Sequence, residues 1–292
     1  MRNARQTAQA LGLLAPLMMT IAHAADLGAT PWPWSSSDVS SDIPTYDWSG
    51  GYVAIMGGYN STNINAGELA STMVDITVPA WAYAEKAKAL AKASAQDMTA
   101  SGGVYSLHAG INVMMERLVV GGELEYGKFS PALNAQGSFD QSRTFEANAV
   151  TLADGTAAVE KVGATLVYSN KTQMLDFALL NGRAGYAYGR FMPYALVGLG
   201  VSRVKIDTTM YATENHTIEV AGDFRSRSIK GPFRGSYTKD AYAATFSFGL
   251  GFEYALLDNV LLRAQYNYMT AGPLKGETAS SNLARGGLAL KF

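Results

Sequence analysis

Ser106, His108 and Glu125 hold the residue types of a nucleophilic triad: a hydroxyl, an imidazole and a carboxylate. Ser106 and His108 are two positions apart in an alternating stretch, which separates them by roughly 7 Å along an extended strand. That spacing predicts no hydroxyl–imidazole contact, and no second catalytic residue offers itself, so catalysis is not expected. The tight turn at Glu116-Arg117 instead sets His108 opposite Glu125 across a hairpin. The turn at Leu257-Asp258-Asn259 sets Glu253 opposite Arg263 in the same way. Glu123, Arg183, Arg285 and Lys291 share the polar side of their own stretches, making one interior charge set with the other four. A second concentration of charge lies between Asp223 and Asp240, where Arg225, Arg227, Lys230, Arg234 and Lys239 stand as five cations between two bounding acids. Arginine binds phosphate bidentately and lysine as a point charge, so this run suits phosphorylated surface lipid; its plain alternative is a solvated loop tip. No spacing requires a cofactor or a metal. A net charge of −1 gives no general attraction to nucleic acid.

The elements that position these groups are strands. The chain is 48% hydrophobic with 30 glycines, 16 tyrosines and no cysteine. Eight stretches alternate with period two: about 48–60, 103–115, 118–129, 174–188, 192–207, 241–256, 260–270 and 282–292. In the sixth, Tyr242, Ala244, Phe246, Phe248, Leu250, Phe252 and Tyr254 share one side, and Ala243, Thr245, Ser247, Gly249, Gly251 and Glu253 the other. Connections alternate between tight turns (116–117, around 189–190, 257–259) and long segments (61–102, 130–173, 208–240, 271–281). Tyr59, Tyr105, Tyr126, Tyr242, Tyr266 and Tyr268 fall toward the long-loop end. Trp48, Tyr186, Tyr188, Tyr194, Tyr254 and Phe292 fall toward the other. Two aromatic belts, short turns on one rim and long loops on the other are the pattern of a barrel that meets lipid with its apolar side. The expected fold is all-β: an eight-stranded antiparallel transmembrane β-barrel with four long extracellular loops and short periplasmic turns. A hairpin at Asp154-Gly155 either prolongs the sheet or raises the count to ten. The Ala-rich stretch 80–97 is expected to be helical, as a cap on the barrel mouth or, through Trp81, Tyr83, Lys86, Lys88 and Lys92, resting on the membrane surface.

Arg2 and Arg5, the apolar run 10–22 and Ala22-His23-Ala24 predict a signal peptide over 1–24. Residues 25–47, with "TPWPWSSSDVSSD", read as a Pro/Ser-rich periplasmic leader, and 48–292 as the barrel.

The stretches "WSGGYVAIMGGY" (48–59), "NGRAGYAYGRFMPYALVGLG" (181–200) and "NVLLRAQYNYM" (259–269), with Arg285 to Phe292, resemble the RopB-type small outer-membrane barrels of alpha-proteobacteria, within the opacity-protein-like group. The chain departs from that pattern at Asn181, where arginine is usual, and at Gln265, where glutamate is. The resemblance implies an integral outer-membrane protein of a Gram-negative bacterium whose terminal Phe292 is read by the barrel-assembly machinery. The expected role is structural and surface-directed, with lateral contact to outer-membrane lipid and lipopolysaccharide. The alternatives are an adhesin binding a host or surface ligand through its loops, a narrow gated pore and, less favoured, a lipid A-modifying enzyme.

Overall fold

The computed structural model describes residues 46–274 and 277–292. The expected signal peptide, and the leader up to residue 45, lie outside the described residues. Eight strands run β1 (Gly50–Asn65), β2 (Met98–Met115), β3 (Leu118–Thr151), β4 (Ala157–Tyr186), β5 (Phe191–Val220), β6 (Asp223–Ala255), β7 (Val260–Leu274) and β8 (Glu277–Lys291). Each pairs antiparallel with its sequence neighbours, and β1 pairs with β8, so the sheet closes into a barrel and leaves no edge through the membrane zone.

Burial follows the alternation. Ile55, Leu107, Ile111, Leu124, Leu180, Leu199 and Phe248 point outward and are exposed, while Ser106, His108, Glu123, Arg183 and Arg263 point inward and are buried. Large apolar side chains outside and charges inside are the reverse of a soluble sheet. On β6 the outward band runs from Tyr242 to Tyr254, about 40 Å along the strand at roughly 3.3 Å per residue. At a tilt near 40° this matches the apolar band of an outer-membrane barrel. Trp48 and Tyr194 depart from the expected aromatic belt: both turn into the lumen, with Trp48 1% exposed and its Nε1 donating to Gly189 O at 3.1 Å.

The loops correct the expectation most. The segments 130–173 and 208–240 are not loops. β3 to β6 continue as a four-stranded sheet of two long hairpins beyond the shorter β1, β2, β7 and β8. The hairpins close at Leu152–Thr156 and at Ala221-Gly222, where both turn residues have positive φ (54° and 88°) as a tight two-residue hairpin demands. The fourth long segment is likewise consumed largely by β7 and β8. The strand count is eight, not ten. Among the described residues only the first connection is a true insertion, and it holds two helices, α1 (Gly67–Thr77) and α2 (Ala84–Ser94). Ala70, Met73 and Val74 of α1 and Ala87, Leu90 and Ala91 of α2 pack onto Leu166, Tyr168, Met210 and Ala212 on the inner face of the extended sheet, while Leu69 of α1 joins the apolar cluster of Ile64, Met98 and Phe129 at the barrel mouth. Trp81 stacks edge-on against Phe233 at 5.9 Å, and Lys86 pairs with Glu146 at 2.7 Å, holding that carboxyl below the usual carboxylate range. These residues therefore bind the hairpins and do not rest on the membrane.

This topology has a direct test. Short epitopes inserted after Gly155 or Gly222, both at turns with open space around them, should be labelled on intact cells. One inserted after Asp258, whose carboxylate pairs with Arg190 and whose carbonyl accepts from Tyr46, should not. Labelling at 258 on intact cells would invert the barrel.

Candidate functional site

The inward charges form one connected network at mid-lumen. The registers read from the hairpins hold: His108 pairs with Glu125, and Glu253 with Arg263. The contacts do not follow the registers. Arg263 on β7 reaches across the lumen to β3, where both its Nη atoms donate to the Glu123 carboxylate, Nη2 at 3.0 Å. Its Nε is 3.6 Å from Glu253 and donates to Tyr194 Oη at 2.8 Å. Glu253 takes Arg183 as its nearest partner, at 2.8 Å. Arg285 on β8 donates to Glu125, which also accepts from Asn181 at 3.0 Å. His108 Nδ1 lies 3.0 Å from Glu123 and 3.9 Å from Glu125. The interior of an eight-stranded barrel is one side chain wide, so an arginine on one wall reaches a carboxylate on the other, and cross-lumen partners outcompete the neighbour on the next strand.

Lys291 is the exception in the set. Its ammonium donates to Asp47 O and lies 4.7 Å over the Tyr46 ring at the periplasmic rim, outside the network. The remaining charges balance, with Glu123, Glu125 and Glu253 against Arg183, Arg263 and Arg285, all buried. Buried charges are tolerable when so paired; Glu123 and Glu125 are also hydrogen-bonded, whereas Glu253 is held by charge proximity to Arg183 and Arg263 without a hydrogen bond to either oxygen. The resemblance drew attention to Asn181 and Gln265, and both are members: Gln265 Oε1 accepts from Tyr194 and from Arg263 Nη2, and its Nε2 donates to Asn267 Oδ1 at 2.6 Å. Neutral amides here keep three against three.

Sequence reasoning missed Tyr52, Tyr194 and Asn267, which carry the network between strands. Tyr52 Oη donates to Glu123 at 2.7 Å and accepts from Arg183 at 2.9 Å, and the Arg183 guanidinium lies 4.1 Å over the Tyr194 ring. Both rings need glycine opposite them. A Cβ at Gly110 would come 2.5 Å from Tyr52 Oη, and one at Gly251 would come 2.6 Å from Tyr194. Such pairing of an inward tyrosine with glycine on the neighbouring strand is a signal that alternation alone could have revealed.

The triad expectation also needs correcting. Ser106 Oγ lies 2.8 Å from His108 Nε2, because the two side chains lean together although their backbones are spaced as expected. A carboxylate can only accept, so His108 donates through Nδ1 to Glu123, which leaves Nε2 facing the serine hydroxyl. Arg285 Nη1 donates to the same Oγ at 2.8 Å. The relay is complete but enclosed: Ser106 is 1% exposed and His108 3%. His108, Glu123 and Glu125 also bring one ligand atom each within 4.8 Å of one another. Arg263 and Arg285 already hold both carboxylates, so a cation would enter against two guanidiniums.

Apolar layers close the lumen on both sides of the network. Toward the periplasm lie Trp48, Met192 and Leu261. Toward the outside lie Ile64, Met98, Phe129, Phe177, Ile206 and Leu283, with the Phe129 and Phe177 rings 5.5 Å apart. A cavity of about 10 Å³ beside Ile64, Val204 and Ala243 has room for one water at most.

The five cations between Asp223 and Asp240 are not brought together; they are strung along β6. Lys230 faces Glu214 at 3.4 Å, Arg227 donates to Asn215 at 3.1 Å, and Arg234 lies 5.7 Å over Tyr211. Arg225 and Arg227 stand about 50–55 Å along the strand from the aromatic Tyr242, by the rise of roughly 3.3 Å per residue. Lys239 lies near the membrane end of the run. At the membrane boundary itself stand cations that the sequence did not single out: Lys128, paired in register with Asp176, then Arg203 and Lys205. Arg203 binds Asp240 with two bonds of 3.1 and 2.8 Å.

The sequence matches the family described as "Outer membrane protein beta-barrel domain" over residues 12–292. The chain belongs to this family. It is an integral β-barrel protein of the bacterial outer membrane. Comparison with curated proteins finds no significant match. Similar solved structures include Neisserial surface protein A, at 12% identity, covering 84% of this chain and 98% of that one with a TM-score of 0.34. Ail, the attachment invasion locus protein of Yersinia pestis, is 12% identical, with 82% and 99% covered and a TM-score of 0.32. The outer membrane protease OmpT from Escherichia coli is 9% identical, with 83% and 97% covered and a TM-score of 0.32.

Proposed function

We propose that this protein is a closed, non-catalytic barrel that braces the outer membrane, contacts lipopolysaccharide laterally at its outer rim, and carries a rigid sheet-and-helix head outside. One observation carries the reading: at mid-lumen a neutralised charge network lies between two buried apolar layers. Neither a conduction path nor a substrate pocket at Ser106 and His108 fits such an interior. The lipid contact is supported by the cations at the upper edge of the apolar band, where phosphate-bearing headgroups would stand. A surface-ligand role for the head is a second reading, favoured by β6, which continues for about 55 Å beyond Asp240 at roughly 3.3 Å per residue. The test is planar-bilayer recording on the refolded protein, which should remain electrically silent. Reproducible single-channel steps would replace the brace with a pore.

A further inference from the structure

The outward face of the extended sheet changes chemistry at one level. Below it the outward residues of β3 to β6 are apolar: Tyr126, Leu180, Val201, Tyr242. The change comes at Lys128, Asp176 and Arg203, which are neighbours in register, and at Lys205 with Asp240. Above this line the same outward parity continues, but most of the residues are hydroxyls, amides and charged groups, with Val167, Tyr211 and Ile229 set among them. Ser142 on β3, Thr165 on β4, Asn215 on β5 and Arg227 on β6 form a hydrogen-bonded row across all four strands. Asn215 Nδ2 donates to Thr165 Oγ1 at 2.9 Å, that hydroxyl donates to Ser142 Oγ at 3.1 Å, and Arg227 donates to Asn215 Oδ1 at 3.1 Å. Lys171, Lys205 and Arg234 stand on the same face and are exposed. Its acids are partly engaged, Asp207 by Thr238 at 3.1 Å and Asp240 by Arg203; Asp140 also lies there. The opposite face is covered by α1 and α2, so this is the side turned toward neighbouring molecules.

We propose that this outward face binds the saccharide portion of the glycolipids of its own outer leaflet. The inference rests on the lateral lipopolysaccharide contact of the proposed function and extends it from the phosphates at the membrane boundary to the sugars above. A sheet face carrying hydroxyls and amides offers both donors and acceptors to sugar hydroxyls, and Arg234 and Lys171 suit phosphate or carboxylate substituents on the sugars. Position selects the source. These strands are the same ones that meet acyl chains below the boundary, so what lies beside their upper part is the headgroup of that lipid.

The test uses the full chain in detergent micelles, titrated with lipopolysaccharide carrying its complete core saccharide, with lipid A alone, and with the free core oligosaccharide. The variant is Lys171→Ser/Arg234→Ser, both above the boundary cations, with folding verified by heat-modifiable gel mobility. The wild type should bind the complete glycolipid about tenfold more tightly than lipid A, the scale of one charge-assisted bond. The variant should lose that difference while keeping its lipid A affinity. Equal wild-type affinity for the two lipids would overturn the saccharide site and leave the boundary contact standing. Absence of binding to either would remove both. Free oligosaccharide binding as tightly as the complete glycolipid would overturn the lipid-linked source.

Discussion

Arg263→Met alone should lower the unfolding free energy of the reconstituted barrel by about 3–5 kcal/mol, the scale for stranding one partner of a buried ion pair. Arg263 is fully enclosed and donates to Glu123 through both Nη atoms. Without it Glu123 keeps only the Tyr52 hydroxyl and the His108 imidazole. Glu123→Gln/Arg263→Met should recover most of the loss, since neither side then carries an uncompensated charge. The choice of partner is itself informative. If the strand register decided the pairing, Glu253→Gln/Arg263→Met would be the rescuing combination. With the observed contacts it should rescue less, because it leaves Glu123 alone and strips Arg183 of Glu253. Urea titration in lipid vesicles, followed by gel mobility, measures all of these. Small and additive effects throughout would mean that water fills the lumen and pairs the charges in place of their partners.

The register was legible and the pairing was not, for one physical reason. Alternation and turn length set which backbones face each other, and both hairpins carrying the network came out as read. Side chains as long as Arg263 and Arg285 can choose among every wall of a narrow lumen, and nothing in the local sequence ranks those walls. The extended sheet was illegible for a different reason. Within the membrane an outward position must be apolar, so the alternation of β6 from Tyr242 to Tyr254 is sharp. Above the boundary both solvent and helix are acceptable neighbours. Stretches such as Asn134 to Ser142 therefore alternate only between polar and small or half-buried residues, which resembles a loop. Helix α1 was hidden too. Its "GELASTMVDIT" includes Thr72, Val74, Ile76 and Thr77, weak helix formers, and its N-cap residue is Ala66, which has no polar side chain to cap it. It is held by Leu69, Ala70, Met73 and Val74 packing on the sheet, a tertiary cause that a local reading does not contain.

The barrel's orientation toward lipid is tested most sharply by Leu250→Arg, which should abolish stable insertion. Leu250 is 43% exposed on the outward face, in register with Ala195 and Tyr266, and lies near the middle of the span from Tyr242 to Tyr254. An arginine on the lipid face at the midplane costs about 2–4 kcal/mol. On a sheet in water the same exposed position would tolerate arginine within about 0.5 kcal/mol, so the variant separates the two environments that produce identical alternation. Ser247→Ala, three positions away on the opposite side, is the control. It removes the acceptor of one bond, Asn267 Nδ2 to Ser247 Oγ at 3.2 Å, for about 1 kcal/mol, and should insert at near wild-type yield. Folding yields into vesicles, read from the heat-modifiable band, should therefore collapse for the arginine and hold for the alanine. If the two yields were equal, the apolar side of β6 would not be the side that meets lipid.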